Sequence, residues 1–208
     1  MFLIGSDNVA EKNQGVLNQS PPPLQRSLLV KAVRLTLICH ALTQAQKVGR
    51  LHRPDDGILA LDAQPSPLVP EVRVLTAPER RGGETAAWFS TQVRVEPALA
   101  DCDLGRWQGR SLKELQAEQP EALAQWLQDP HSAPHGGESF AALCQRIAAW
   151  LAAFKTPGEW LAVTHPMVIR AVLVQVLGCP MSAYRFIDVL PLSRVELSFA
   201  GEWRLRFG

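Results

Sequence analysis

Ala32-Val33-Arg34-Leu35-Thr36-Leu37-Ile38, followed at once by Cys39-His40-Ala41-Leu42-Thr43, is the stretch on which the fold turns. Its first seven residues are short, branched and largely apolar, which predicts a buried strand. Val72-Arg73-Val74-Leu75 and Trp160-Leu161-Ala162-Val163 read as two more. Segments able to start a helix follow, over Thr85 to Thr91 and over Pro166 to Leu177. Strand, loop and helix repeated in this way predict a mostly parallel sheet covered by helices. The expected architecture is α/β, a three-layer α/β/α sandwich around a doubly wound sheet in a single domain.

The pattern extends on both sides of these strands. Phe140, Leu143, Cys144, Ile147, Leu151 and Phe154 fall on one face at helical spacing, so Ser139 to Phe154 is an expected helix. Ser111 to Trp126 reads as helical with a break at Pro120. Val195 to Phe199 and Trp203 to Phe207 flank Ala200-Gly201-Glu202 and predict a hairpin. Residues 1–30, with Asn, Gln, Ser and the Pro21-Pro22-Pro23 run, lack periodicity and are expected as a flexible extension; residues 31–208 form the domain.

Composition narrows the function. Hydrophobic residues make up 47% and charged residues 20%, with a formal net charge of +1. So small a bias argues against wrapping nucleic acid or lying on an acidic membrane. Cys39, Cys102, Cys144 and Cys179 are scattered with no Cys-x-x-Cys pair, which excludes a zinc knuckle and a thioredoxin-like site. Scattered cysteines suit a reducing compartment. The apolar Met1 to Ile4 is too short for a signal-peptide core, and no stretch approaches a membrane-spanning length. A soluble, cytoplasmic protein is expected. The pattern carries no signal for oligomeric state.

Three chemical groups sit just past strand ends: His40 after the first, Arg81 after the second and His165 after the third. Ligands bind at the carboxyl ends of strands in open parallel sheets. Two imidazoles and a guanidinium converging there suit a phosphate. A neutral imidazole can attack phosphorus, and a guanidinium can hold two phosphate oxygens with its planar fork.

The chain resembles the histidine phosphatase superfamily, the phosphoglycerate-mutase-like group, at five places in the family's order. The family's Arg-His-Gly-x-Thr appears as Cys39-His40-Ala41-Leu42-Thr43. Its Ser-Pro-x-x-Arg-x-x-x-Thr-Ala appears as Ala77-Pro78-Glu79-Arg80-Arg81-Gly82-Gly83-Glu84-Thr85-Ala86, with Arg81 in register. Its Glu-x-Asp-Phe-Gly-x-Trp-Glu-Gly appears as Asp101-Cys102-Asp103-Leu104-Gly105-Arg106-Trp107-Gln108-Gly109. Gly136-Gly137-Glu138-Ser139 is intact, and Thr164-His165-Pro166-Met167-Val168-Ile169-Arg170 stands for Ser-His-Gly-Gly-x-Ile-Arg.

The resemblance implies a phosphomonoester hydrolase acting on a small phosphorylated metabolite. His40 would be the nucleophile and would form a phosphohistidine. Arg81 and His165 would hold the phosphoryl oxygens, Asp101 would protonate the leaving oxygen, and Thr43 and Gln46 would add hydrogen bonds. No metal or cofactor is implied. The partners would be the phosphorylated substrate or inorganic phosphate.

The main departure is Cys39, which stands where the family carries a second phosphate-clamping arginine. Arg80, Arg50, Arg53 and Arg170 are the cations that could take its place in space. The departure motivates a second reading, a catalytically impaired relative that binds phosphate, a phospho-ligand or a protein partner. Cys39 itself is expected as a small strand-end residue. His52, His131 and His135 are expected as loop histidines without a catalytic part, and Trp88, Trp126 and Trp150 as packing residues.

Overall fold

The computed structural model describes residues 32–61 and 71–207. The expected extension over residues 1–30 lies outside them. Six strands form one sheet in the order β3-β2-β4-β1-β5-β6. They are β1 (Val33–Cys39), β2 (Arg73–Thr76), β3 (Val93–Val95), β4 (Gly158–Thr164), β5 (Arg194–Phe199) and β6 (Trp203–Arg206). The first four are mutually parallel, whereas β5 runs antiparallel to β1 and to β6.

Burial explains why β1 is a nearly unbroken apolar run. It lies between β4 and β5 with helices on both faces. Leu35 and Leu37 point to a large core that includes Leu143, Ile147 and Val172, from helices α5 (Phe140–Ala153) and α6 (Pro166–Leu177). Ile38 points the other way, with Val74, Leu161 and Val163, onto Ala86 and Phe89. Ala86 closes helix α2 (Arg80–Ala86). The three-layer sandwich follows from this alternation of faces.

The insertion holds α3 (Leu112–Glu118) and α4 (Pro120–Gln128). Pro120 breaks them as expected, and it does so as the first residue of α4, where its missing N–H costs no hydrogen bond. Trp107, Leu115 and Leu123 make a satellite core there. Among the described residues no helix is long and apolar enough to cross a membrane.

Two elements differ from expectation. The helix after β2 begins at Arg80 and ends at Ala86, rather than spanning Thr85 to Thr91. Gly82 and Gly83 argue against a helix on propensity alone. Close packing overrides that preference at Gly82, where a Cβ would lie 3.0 Å from Thr76 Oγ1 and 3.3 Å from the Ala77 carbonyl. The short strand β3 also lacks a sequence signal, because only three residues pair, at a sheet edge.

Parallel pairing of β1, β2 and β4 puts their carboxyl ends on one side of the sheet. His40 N–H donates to the Thr164 carbonyl at 2.9 Å and Ala77 N–H to the Val163 carbonyl at 2.9 Å. These bonds tie the chain just beyond each strand to its neighbour.

Candidate active site

His40 leaves β1 wholly buried. Its Nδ1–H donates to the Ala41 carbonyl at 2.8 Å, which leaves the lone pair on Nε2. Burial, then His165 and Arg81, lower its pKa to about 3 against the opposing Ala41 carbonyl and Asp101. The ring is therefore a free base at neutral pH. Ala41 N–H donates to Thr85 Oγ1 at 3.0 Å, and that hydroxyl donates to the Arg81 carbonyl at 2.7 Å. Thr85 thus ties the histidine loop to α2, so the threonine of the second motif positions both partners.

Arg81 is 1% exposed although it carries a full charge. One terminal nitrogen donates to the Arg53 carbonyl at 2.9 Å, and the other to Asp101 Oδ2 at 2.6 Å. His165 caps α6, also fully buried. Its extended backbone is the one a residue before proline adopts, and Pro166 occupies the first helical position. Proline in place of the motif's glycine therefore leaves the helix intact. The His40 and His165 rings lie 5.3 Å apart, centre to centre.

Three atoms define the site. His40 Nε2, Arg81 Nε and His165 Nδ1 are buried and have no hydrogen-bond partner among the described residues. Buried polar atoms without partners are costly and scarce in folded proteins. Of the five such atoms among the described residues, the other two being His135 Nε2 and Trp150 Nε1, these three come from separate parts of the chain. One lone pair and two potential donors suit a tetrahedral anion.

Asp101 shares this space. Its Oδ2 lies 2.6 Å from Arg81 and 3.6 Å from His165 Nδ1. Burial would raise its pKa, but His165, Arg81, His52 and His40 outweigh burial and hold the carboxyl well below its usual range. It is ionised and covers cationic surface that a phosphoryl group would use.

Glu79 was not singled out by pattern. Glu79 Oε2 accepts from His165 Nε2 at 2.7 Å, and Oε1 accepts from Asp101 N–H at 3.0 Å. With Nε2 donating to Glu79, only the protonated ring of His165 offers an N–H at Nδ1. Burial opposes ionisation of Glu79, yet the His165 hydrogen bond and charge keep its pKa below the ordinary value. The available signal was an acid two residues before Arg81, inside the motif's variable positions.

His52, expected in a solvated loop, instead stands edge-on to His40 at 5.3 Å. Thr43 explains its placement. Thr43 caps helix α1 (Gln44–Lys47), its Oγ1 lies 2.8 Å from His52 Nε2, and its N–H donates to Gln46 Oε1 at 3.1 Å. Thr43 and Gln46 are thus occupied with the cap and with His52, while Gln46 also lines the adjoining cleft.

Burial, then Arg81 and His165, lower the His52 pKa to about 4, against Asp101 and Asp56. The sign of the pH effect follows. The unfolded chain takes up a proton near 6.5 that the folded chain refuses until about 4. Stability present above pH 6.5 is lost as the pH falls toward 4. In His52→Gln that loss is shallower, by at most about 1.4 kcal/mol per pH unit. Urea unfolding across this range measures it, and an unchanged slope would contradict the buried neutral ring.

Cys39 is fully buried in the large core, and burial followed by Asp101 pushes its thiol up to about 12. It supplies neither a thiolate nor a cation. Of the four arginines that could replace the missing one, Arg80 pairs with Glu84 at 2.6 Å and Arg50 with Asp56 at 2.5 Å. Arg53 and Arg170 line the cleft beside Arg81. His131 is exposed, as a loop histidine should be, whereas His135 is buried against Trp107, 5.4 Å between ring centres.

A family model described as the histidine phosphatase superfamily, branch 1, matches residues 35–206. Glucosyl-3-phosphoglycerate phosphatase of Mycobacterium tuberculosis is 33% identical over 100 residues, 45% of this chain and 44% of that protein. Adenosylcobalamin/alpha-ribazole phosphatase of Escherichia coli is 30% identical over 95 residues, 44% of this chain and 47% of that protein. The chain spans about half or less of the length of the curated relatives it matches. Among solved structures, a putative alpha-ribazole-5'-P phosphatase from Escherichia coli superposes with a TM-score of 0.68 at 25% identity. That comparison covers 84% of this chain and 95% of the other.

Proposed function

The chain belongs to the histidine phosphatase superfamily, and on that premise we propose that it hydrolyses phosphomonoesters through a phosphohistidine on His40. The observation that carries this reading is the trio of buried, unpartnered atoms: His40 Nε2, Arg81 Nε and His165 Nδ1. The named phosphatases among the relatives support the same reaction class.

His40 Nε2 attacks phosphorus and the P–O ester bond breaks, with Arg81 and His165 on the equatorial oxygens. The leaving oxygen takes a proton from Asp101. The carboxylate obtains that proton because of the ligand itself. A phosphoryl group on Arg81 and His165 displaces Oδ2 from the Arg81 guanidinium and places negative charge beside it, and both changes raise its pKa. Water then attacks the phosphohistidine with Asp101 as base, releasing inorganic phosphate and the free imidazole. A small phosphorylated metabolite is the proposed substrate.

The test is hydrolysis of p-nitrophenyl phosphate without added metal, with competitive inhibition by orthovanadate. Asp101→Asn separates the two roles of the carboxylate. Phosphate inhibition tightens about tenfold, because a charged internal competitor is gone. Turnover of an alkyl phosphate falls by roughly 10² or more, and that of p-nitrophenyl phosphate, whose leaving oxygen needs no proton, falls far less. An unchanged inhibition constant with equal losses for both esters would contradict this account of Asp101.

One observation favours a second reading. Cys39 brings no charge to the site, and the two carboxylates there are already engaged, Asp101 with the buried Arg81 and Glu79 with His165. A chain that binds phosphate without turning esters over would show vanadate binding and no hydrolysis.

A further inference from the structure

The cleft that opens from Arg81 and Asp101 has a volume of about 490 Å³. Its lining includes His52, Glu79, Arg81 and Asp101, so a group carried by a phosphate on Arg81 can extend into the rest of it. Leu51, Leu104, Leu112, Trp126, Pro166 and Met167 make its apolar walls. From these walls we propose that the alcohol part of the substrate is bulky, uncharged and apolar, with a planar ring against Trp126. This rests on the phosphatase reading above.

Three observations carry it. First, the walls are held rigidly from behind. Trp126 packs edge-on against Trp107 at 5.8 Å and against His135 at 6.3 Å. Leu51 and Leu104 lean on the same satellite core. A preformed aromatic surface binds an apolar ring without an ordering cost. Second, Pro166 and Met167 stand where the family motif has two glycines, so the floor next to His165 carries apolar side chains rather than bare backbone. Third, most of the charge in the lining is already spent. Arg50 binds Asp56, Arg81 binds Asp101, and Asp103 Oδ1 accepts from Gly105 N–H and Gln108 Nε2. Arg170 donates to the Ile187 carbonyl and to Met167 Sδ. Arg53 stands exposed at the rim. Arg53 and Arg170, the lining arginines without a carboxylate partner among the described residues, are matched in number by Glu79 and Asp103, the lining acids without an arginine partner, so the cleft exerts no net pull on a second anion.

The test uses three phosphonates, so that affinity is read without turnover: propyl, 3-(2-naphthyl)propyl and 3-carboxypropyl. Calorimetry on the full chain is expected to show the naphthyl compound binding at least about tenfold more tightly than the propyl one. The carboxypropyl compound gains nothing. Leu112→Glu places a charge on the exposed rim of the wall, at a residue 42% exposed and so tolerant of change, and collapses the preference. Trp126→Ala collapses it as well. Equal affinities, a preference for the carboxylate, or a preference untouched in Leu112→Glu would overturn the substrate class.

The matching phosphate esters have leaving alkoxides of similar basicity, so their kcat/KM values show the same order. Hydrolysis without any preference would sink this inference and leave the phosphatase reading standing. A naphthyl preference in binding with no hydrolysis of any ester would do the reverse.

Discussion

Replacing His40 with alanine lowers kcat for p-nitrophenyl phosphate by roughly 10⁴–10⁶, the scale on which loss of a catalytic nucleophile registers. The size follows from what remains. Arg81 and His165 still hold the phosphoryl group, but water must attack it directly without an imidazole lone pair at contact distance. No other residue inherits the role. Cys39 is a buried thiol raised to about 12, and the nearby His52 has its Nε2 against Thr43. The variant keeps the fold, because the ring's single hydrogen bond is to its neighbour's carbonyl and its other nitrogen has no partner to lose. Near-ultraviolet circular dichroism checks that point. Turnover unchanged in a folded His40→Ala would remove His40 from the chemistry.

Cys39→Arg acts in the opposite direction and raises kcat/KM by about 10²–10³. Burial and then the field of Asp101 raise the Cys39 thiol, while Arg170 and Arg81 act against them. A guanidinium grown from this position has Asp101 as the acidic partner within its field. When substrate binds, it adds a charge-assisted contact to the transferring group. The cost is packing and desolvation. Cys39 has 0% exposure within the main core, and an added guanidinium must be both fitted and desolvated there, at a cost on the order of 3–5 kcal/mol. A lower melting temperature together with faster turnover is the expected pair of results. A folded variant with no gain in rate, beside a wild type silent toward many phosphoesters, would favour a binding role.

Much of this was legible in the chain because the central strands are buried on both faces. Val33 to Ile38 and Trp160 to Val163 read as apolar runs, and the chemistry falls directly after them at His40 and His165. The hairpin was equally plain, with Gly201 at positive φ between β5 and β6. The pairing of β5 with β1 was not, since antiparallel addition to a parallel sheet is decided by tertiary packing and not by either strand's own sequence. The early start of α2 was hidden for a related reason. Gly82 weakens a helix in isolation and is required here by contact with Thr76 and Ala77.

The site divided in the same way. His40, Arg81 and His165 follow strand ends in sequence order, and the structure brings them together. The placement of His52 and Glu79 beside them was not legible, because it depends on contacts made in the fold: Thr43 to His52, and His165 to Glu79 across 86 positions. The role of Trp126 as a cleft wall was hidden too. Helical spacing marks it as a packing residue, which it is on the side facing Trp107.

The account stands or falls on covalent transfer to one nitrogen. Full-length protein mixed rapidly with p-nitrophenyl phosphate, quenched in alkali and digested, should yield a phosphorylated peptide containing His40. The label should be stable in alkali and lost in acid, as a phosphoramidate is, and should be absent from His40→Ala. Burst release of p-nitrophenol with no such peptide, or with the label on another residue, would contradict the account.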